Sequence, residues 1–127
     1  MSKVAPEERL SRFLLDKGHV RSSNNTVRFN AFLPPTSGKL SVYRTSKQSD
    51  ADIWEIGRIF VETPRQKQLI GRADLVAETV ISEGLSVQPE TTPHPLHADI
   101  VGWSKESSLN KLTAIKLAAK ASVILKK

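Results

Sequence analysis

Apolar residues in this chain change their spacing several times, from three-and-four to two and back. That change constrains the fold more than any single motif does. The segment PEERLSRFLLDKG, residues 6–18, reads as a first helix. Pro6 suits the first helical position, Glu7 and Glu8 favour the positive end of the helix dipole, and Gly18 is a natural stop. Leu10, Phe13 and Leu14 form its apolar stripe, with Arg9 and Arg12 off that stripe. VRFNAFL, residues 27–33, then alternates as a strand does, with Val27, Phe29, Ala31 and Leu33 on one side. LSVYRT, residues 40–45, follows as a second strand, and the short PPTSGK link predicts an antiparallel pair.

SDADIWEIGRIFVETP, residues 49–64, carries the clearest helix signal. Ser49 and Asp52 make a capping box, Ile53, Ile56 and Phe60 make the core stripe, and Pro64 ends it. Gly57 inside this helix costs about 1 kcal/mol relative to alanine, which predicts a close backbone approach at that point. LIGRAD is a short strand or a loop. Asp74 is expected to cap the following helix, LVAETVISEG, which stops at Gly84. LSVQPE and HADIVGW read as strands, the second of them central. The closing helix begins at Ser107 or Ser108, with Leu112, Ile115, Ala119 and Val123 along one face.

Strands and helices therefore mix without strict alternation, and no glycine-rich turn joins a strand to a helix. The pattern predicts an α+β fold: one domain spanning 1–127, with a mostly antiparallel sheet of about four strands and helices packed on one face. One parallel pair is compatible with the helical run before LSVQPE. Residues 1–5 and 126–127 are expected to fray.

Composition narrows the function classes. Without cysteine there is no disulfide framework, no thiol nucleophile and no thiolate metal site. No apolar run approaches the length of a membrane span, and MSKVAPEERL lacks the apolar centre of a signal peptide, so the cytoplasm is the expected compartment and no membrane partner is expected. The net charge of +6 is unevenly spread. Residues 1–47 balance at +6, residues 48–104 at −5 and residues 105–127 at +5. Basic ends thus flank an acidic middle, which serves either to bind an anion or to neutralise the ends from within.

PHPLHADIVGW, residues 93–103, is the stretch most suggestive of chemistry. His94, His97 and Asp99 are ligand types that zinc accepts, although two histidines three apart in a loop are a weak signal and the ordinary reading has no metal or cofactor. His97 oriented by a carboxylate such as Asp99 is a candidate acid or base. Alternation puts Leu40, Val42 and Arg44 on one strand face, where an arginine must be paired or must reach an anion. Arg72, in GRAD, joins it as a candidate anion ligand, against the plainer reading of internal ion pairs with Asp74, Asp99 or Glu55. Lys116 and Lys120 share one edge of the last helix and are candidates for phosphate or partner contact, against the plainer reading of a solvated face. No nucleophile elbow, phosphate loop or nucleic-acid-binding signature is present.

The strings LSVYRTSKQSDADIWEIG, GRADL, GLSVQPE and HPLHADIVGW resemble those of small bacterial proteins of unknown function, over about residues 8–121. The resemblance implies a free-standing bacterial cytoplasmic protein and supplies no functional residues. Taken together, the sequence favours a small non-catalytic accessory protein acting in a complex. Its basic ends would engage an acidic protein surface or a nucleic acid. The rival from another class is an enzyme acting on a phosphate- or carboxylate-bearing substrate through His97, with Arg44 and Arg72 holding the anion. It requires those three side chains to meet.

Overall fold

A computed structural model describes residues 3–126. The expected fraying at 1, 2 and 127 lies outside the described residues. Of the remaining terminal positions, Val4 packs against the core, Ala5 N–H donates to Glu8 Oε2 at 2.6 Å, and Lys126 N–H donates to the Ile70 carbonyl at 2.9 Å.

The largest correction concerns the expected first helix. Arg9–Leu14 is a strand, β1, and it lies inside the sheet. Leu10 and Leu14 enter one core while Phe13 enters another on the opposite face. A strand buried on both faces loses strict alternation, and its apolar spacing of three and one imitates a helix. The ladders on both sides then override helix propensity. Pro6 and Glu7, expected to open that helix, instead form a turn, and Asp16 caps a 3₁₀ turn, Lys17–His19, by accepting from Gly18 N–H at 2.8 Å.

VRFNAFL does not extend as a strand either. Val20–Arg21 (β2) and Thr26–Val27 (β3) pair as a small separate hairpin, and Phe29–Phe32 forms a 3₁₀ turn that buries Ala31 and Phe32. LSVYR is the expected strand, β4 (Leu40–Arg44), but its partners are β1 and a later strand, not the preceding segment. Asp50–Gly57 is α1, capped by Ser49, whose hydroxyl accepts from Asp52 N–H at 3.2 Å. A Cβ on Gly57 would come within 2.7 Å of Phe13 and Leu69, so the glycine serves a close approach of helix to sheet. The helix widens into a π-helical turn, Arg58–Glu62, and a last α-helical turn, α2 (Thr63–Arg65), closes on Gln66 in the left-handed conformation.

GRADLV is β5 (Gly71–Val76), so Asp74 lies within a strand and does not cap the next helix, α3 (Ala77–Ser82). β6 (Ser86–Pro89) and β7 (His97–Val101) fall where expected. The closing helix, α4 (Ser107–Lys120), ends three residues before Val123. The tail instead forms an additional strand, β8 (Ser122–Leu125), which pairs with β5. Its buried face is Ala114, Leu117 and Ala118, while Leu112 is 56% and Ile115 43% exposed. Small alanines let the helix approach the core closely, so the larger apolar stripe points outward.

The main sheet has six strands, not about four, in the order β6-β7-β4-β1-β5-β8, and every ladder is antiparallel. β7 is therefore flanked on both sides but lies one strand from the edge. β4 and β5 run in the same direction on either side of β1, and α1 carries the chain between them. Helices cover both faces, not one. α4, α3 and the Phe29–Phe32 turn pack on the side of Leu10, Leu40, Val42 and Ile100, and α1 packs on the side of Phe13 and Tyr43. The fold is thus α+β with a mostly antiparallel sheet. No helix among the described residues is long and apolar enough to cross a membrane.

Candidate functional site

The α1 side of the sheet is the chemically richer one, because the buried polar residues Ser11, Thr45, Arg72, Asp74, His97 and Asp99 project among its apolar contacts or just beside them. They form two clusters. In the first, the Arg72 guanidinium donates from Nε to Asp74 Oδ2 at 3.2 Å and from Nη2 to Asp50 Oδ1 at 2.9 Å, and it lies 4.7 Å over the Trp54 ring. Ser11 donates to the other Asp74 oxygen at 2.6 Å and shares a hydrogen bond with Thr45 at 2.8 Å. Arg72 Nη1 alone among the buried side-chain polar atoms of the described residues lacks a partner. This cluster is closed by two aspartates and an aromatic face.

The second cluster is open. Tyr43 pairs with His97 and Ser41 with Asp99 across β4 and β7, so these four side chains share one face. The Ser41 hydroxyl lies 2.7 Å from His97 Nε2, and His97 Nδ1 lies 2.8 Å from the Glu90 carbonyl. A carbonyl only accepts, so in the neutral imidazole Nδ1 carries the hydrogen and Nε2 receives the Ser41 proton. Asp99 Oδ1 is 3.7 Å from the same Nε2. Tyr43 packs edge-on to Phe13, His94 and His97, and burial raises the pKa of its hydroxyl above the ordinary tyrosine value.

Beside this pair the sheet parts. β1 and β4 pair only at Leu10↔Arg44 and Ser11↔Tyr43, whereas the β1–β5 ladder runs on to Leu14↔Gly71. Arg12 sits where the two strands diverge, donating from Nε to the Ala31 carbonyl at 3.1 Å and from Nη1 to the Ser41 carbonyl at 3.0 Å. It makes no ion pair among the described residues. Burial, and then the like charge of Arg65, pull its pKa down to about 10. The guanidinium is still protonated at neutral pH but unfavourably so.

Arg12, Arg65, His19, Tyr43, Ser41 and His97 all line one recess of about 160 Å³, walled further by Phe60 and Val61 from the π-helical turn. Among the described residues no carboxylate lines it. Burial, followed by opposing effects of Asp16 (upward) and Arg12 (downward), holds the His19 pKa below the usual histidine value. The recess is large enough for several water molecules, hence for a phosphate- or carboxylate-sized group. Chemically it combines uncompensated cations with a serine hydroxyl held on an imidazole, the arrangement of an activated nucleophile and its base.

The residues singled out from sequence divide accordingly. His97 and Asp99 lie side by side on β7, with Asp99 Oδ1 3.7 Å from His97 Nε2. Arg44 does not join them: both its Nε and Nη2 reach the Glu8 carboxylate, at 2.8 and 2.9 Å, in a different hollow lined by Glu7, Ser46 and Pro95. Arg72 stands on β5, three strands from β7, or about 14 Å at ordinary strand spacing. Lys116 lies 3.6 Å from Glu83, and Lys120 sits exposed in the last turn of α4. His94 accepts from Leu96 N–H at 3.0 Å and packs edge-on to Phe60, with its pKa lowered by burial and then by His97. Among the described residues no group of three histidine, aspartate or glutamate side chains is placed to hold a metal ion.

Arg12, Arg65 and Ser41 are the residues that sequence reasoning passed over. One signal for them exists: read as a strand, Leu10-Ser11-Arg12-Phe13-Leu14 puts an arginine between two leucines on a core-facing side. Comparison of the chain with protein families, curated proteins and solved structures finds no match.

Proposed function

We propose that this chain binds a phosphate- or carboxylate-bearing molecule in the recess and acts on it through Ser41 and His97. One observation carries the reading: a partly buried arginine without an acidic partner among the described residues, Arg12, sits beside a serine hydrogen-bonded to a histidine whose other ring nitrogen faces a carbonyl. An unpaired buried guanidinium is costly, and an anion between Arg12 and Arg65 removes that cost while drawing the substrate against Ser41. Ser41 Oγ attacks the electrophilic carbon or phosphorus as His97 Nε2 takes its proton. That proton then passes to the departing group, and water frees Ser41 by the reverse route. Arg12 supplies positive charge where negative charge develops. Arg44 and Arg72 have no part in this scheme.

The expectation of basic ends engaging an anionic partner keeps support for the N-terminal third only. In the C-terminal segment, Lys116 and Lys126 lie 3.6 and 3.8 Å from Glu83 and Glu62 of the acidic middle, which favours neutralisation from within.

Chromogenic esters test the reading. Hydrolysis of 4-nitrophenyl phosphate or 4-nitrophenyl hemisuccinate is expected to saturate, to be inhibited by the matching free anion, and to fall about 10²–10⁴-fold in His97→Gln and Ser41→Ala. No turnover above background by the wild type, or unchanged turnover in both variants, overturns it.

A further inference from the structure

The recess has two neighbouring hollows, of which one shares lining residues with it. A second, lined by Pro64, Lys67 and Asp16, shares Leu15, His19 and Arg65 with it. Across the Lys17–His19 turn lies a third, a groove bordered by Lys17, Arg21, Arg28 and Phe29. Among the described residues Asp16 is the one acid lining any of the three, and its Oδ1 accepts from Gly18 N–H at 2.8 Å. Lys17, Arg21, Arg28, Arg65 and Lys67 are exposed, and none makes an ion pair among the described residues. Cations therefore border all three hollows, with Asp16 as the acid lining one of them.

Phe29 adds a second kind of chemistry. It is half-buried, borders the basic groove, and has Lys111 Nζ 5.1 Å from its ring centroid. An aromatic face set among cations is the pattern that holds a nucleobase while its backbone is neutralised. A small monoanion would use the recess alone and leave this track idle. A dicarboxylate or an acidic peptide would use the charges but not the aromatic face.

We infer that the anion taken by the recess is the terminal phosphate of a single-stranded nucleic acid. Its chain leaves past Arg65 and the Lys17–His19 turn, and one base stacks on Phe29 in the Arg21–Arg28 groove. The inference rests on the proposal that the recess is an anion site, and it names the molecule to which the anion belongs.

Fluorescence anisotropy with short labelled oligonucleotides tests it. Three ends are compared, 5′-phosphate, 3′-phosphate and unphosphorylated, at 50 and 200 mM salt, for the wild type, Arg12→Met and the triple variant Lys17→Gln/Arg21→Gln/Arg28→Gln. One phosphorylated end is expected to bind at least ten-fold tighter than the unphosphorylated strand. Affinity should fall about fifty-fold over that salt range if some four phosphates are neutralised. Arg12→Met should erase the preference for the phosphorylated end. The triple variant should lose at least ten-fold on every oligonucleotide yet bind inorganic phosphate as the wild type does. Equal binding of all three ends, unchanged oligonucleotide affinity in the triple variant, or equally strong competition by polyaspartate overturns the nucleic-acid assignment. Failure of the wild type to bind inorganic phosphate overturns the anion site itself.

Discussion

Arg12 and Arg72 sit one residue apart in register on neighbouring strands, since Arg12 pairs with Ala73 and Phe13 with Arg72, yet the protein treats them oppositely. Arg72 is 1% exposed and held by Asp74, Asp50 and the Trp54 face. Arg12 is held by two backbone carbonyls and faces Arg65. One charge is balanced by carboxylates of the fold, and the other has no carboxylate partner among the described residues. The two arginines differ most in the count of nearby carboxylates, two for Arg72 and none paired with Arg12 among the described residues.

The comparison breaks most visibly at Arg72. Arg72→Ala leaves Asp74 buried beside Ser11 with no cation, and a loss of about 3–5 kcal/mol in chemical denaturation is expected. That is a large share of the stability of an ordinary domain. A loss below about 1 kcal/mol would mean that the aspartates are satisfied without Arg72. A double-mutant cycle with Asp74→Asn should return a coupling of roughly 1–3 kcal/mol.

Arg12→Met should cost much less, about 1–2 kcal/mol at most. Two carbonyls lose a donor, but a buried unpaired charge and its repulsion from Arg65 are removed as well. Should this variant prove as damaging as Arg72→Ala, Arg12 is a structural residue and the contrast collapses.

His19 gives a smaller and pH-dependent effect. Its folded pKa is lowered, first by burial, so the unfolded chain binds the proton more tightly. Its contribution to stability is then present above the ordinary histidine value near 6.5 and is lost as pH falls through the folded value. His19→Gln should flatten that acid limb of the stability profile. Bound anion should oppose the loss in the wild type, because a third cation then joins Arg12 and Arg65. An unchanged profile in His19→Gln would remove His19 from the site.

Much of this contrast was legible in the chain, and the missing part has one cause. The Ser49 cap, the α1 stripe, and the strands LSVYR, SVQP and HADIV follow from spacing alone, and with them His97 and Asp99. β1 does not, because a strand with Leu10 and Leu14 in one core and Phe13 in the other has the period of a helix. That misreading turns Arg12 outward as a solvated residue and so hides the cation that defines the recess. The same limit applies to α4, where Ala114 and Ala118 are buried and the larger Leu112 and Ile115 are not. Periodicity ranks faces by size of apolar residue, whereas the face buried here sets one leucine, Leu117, between two alanines. Arg72 was visible as a paired residue because Asp74 lies two positions away on the same strand face.

Thermal unfolding in inorganic phosphate tests the central claim most directly, with wild type and Arg12→Met compared at matched ionic strength. Phosphate at one hundred times its dissociation constant should stabilise the wild type by about 2.7 kcal/mol, a shift of several degrees, and leave Arg12→Met unmoved. No shift in the wild type, or an equal shift in both as general salting-out would give, contradicts the claim that Arg12 is held charged for an anion.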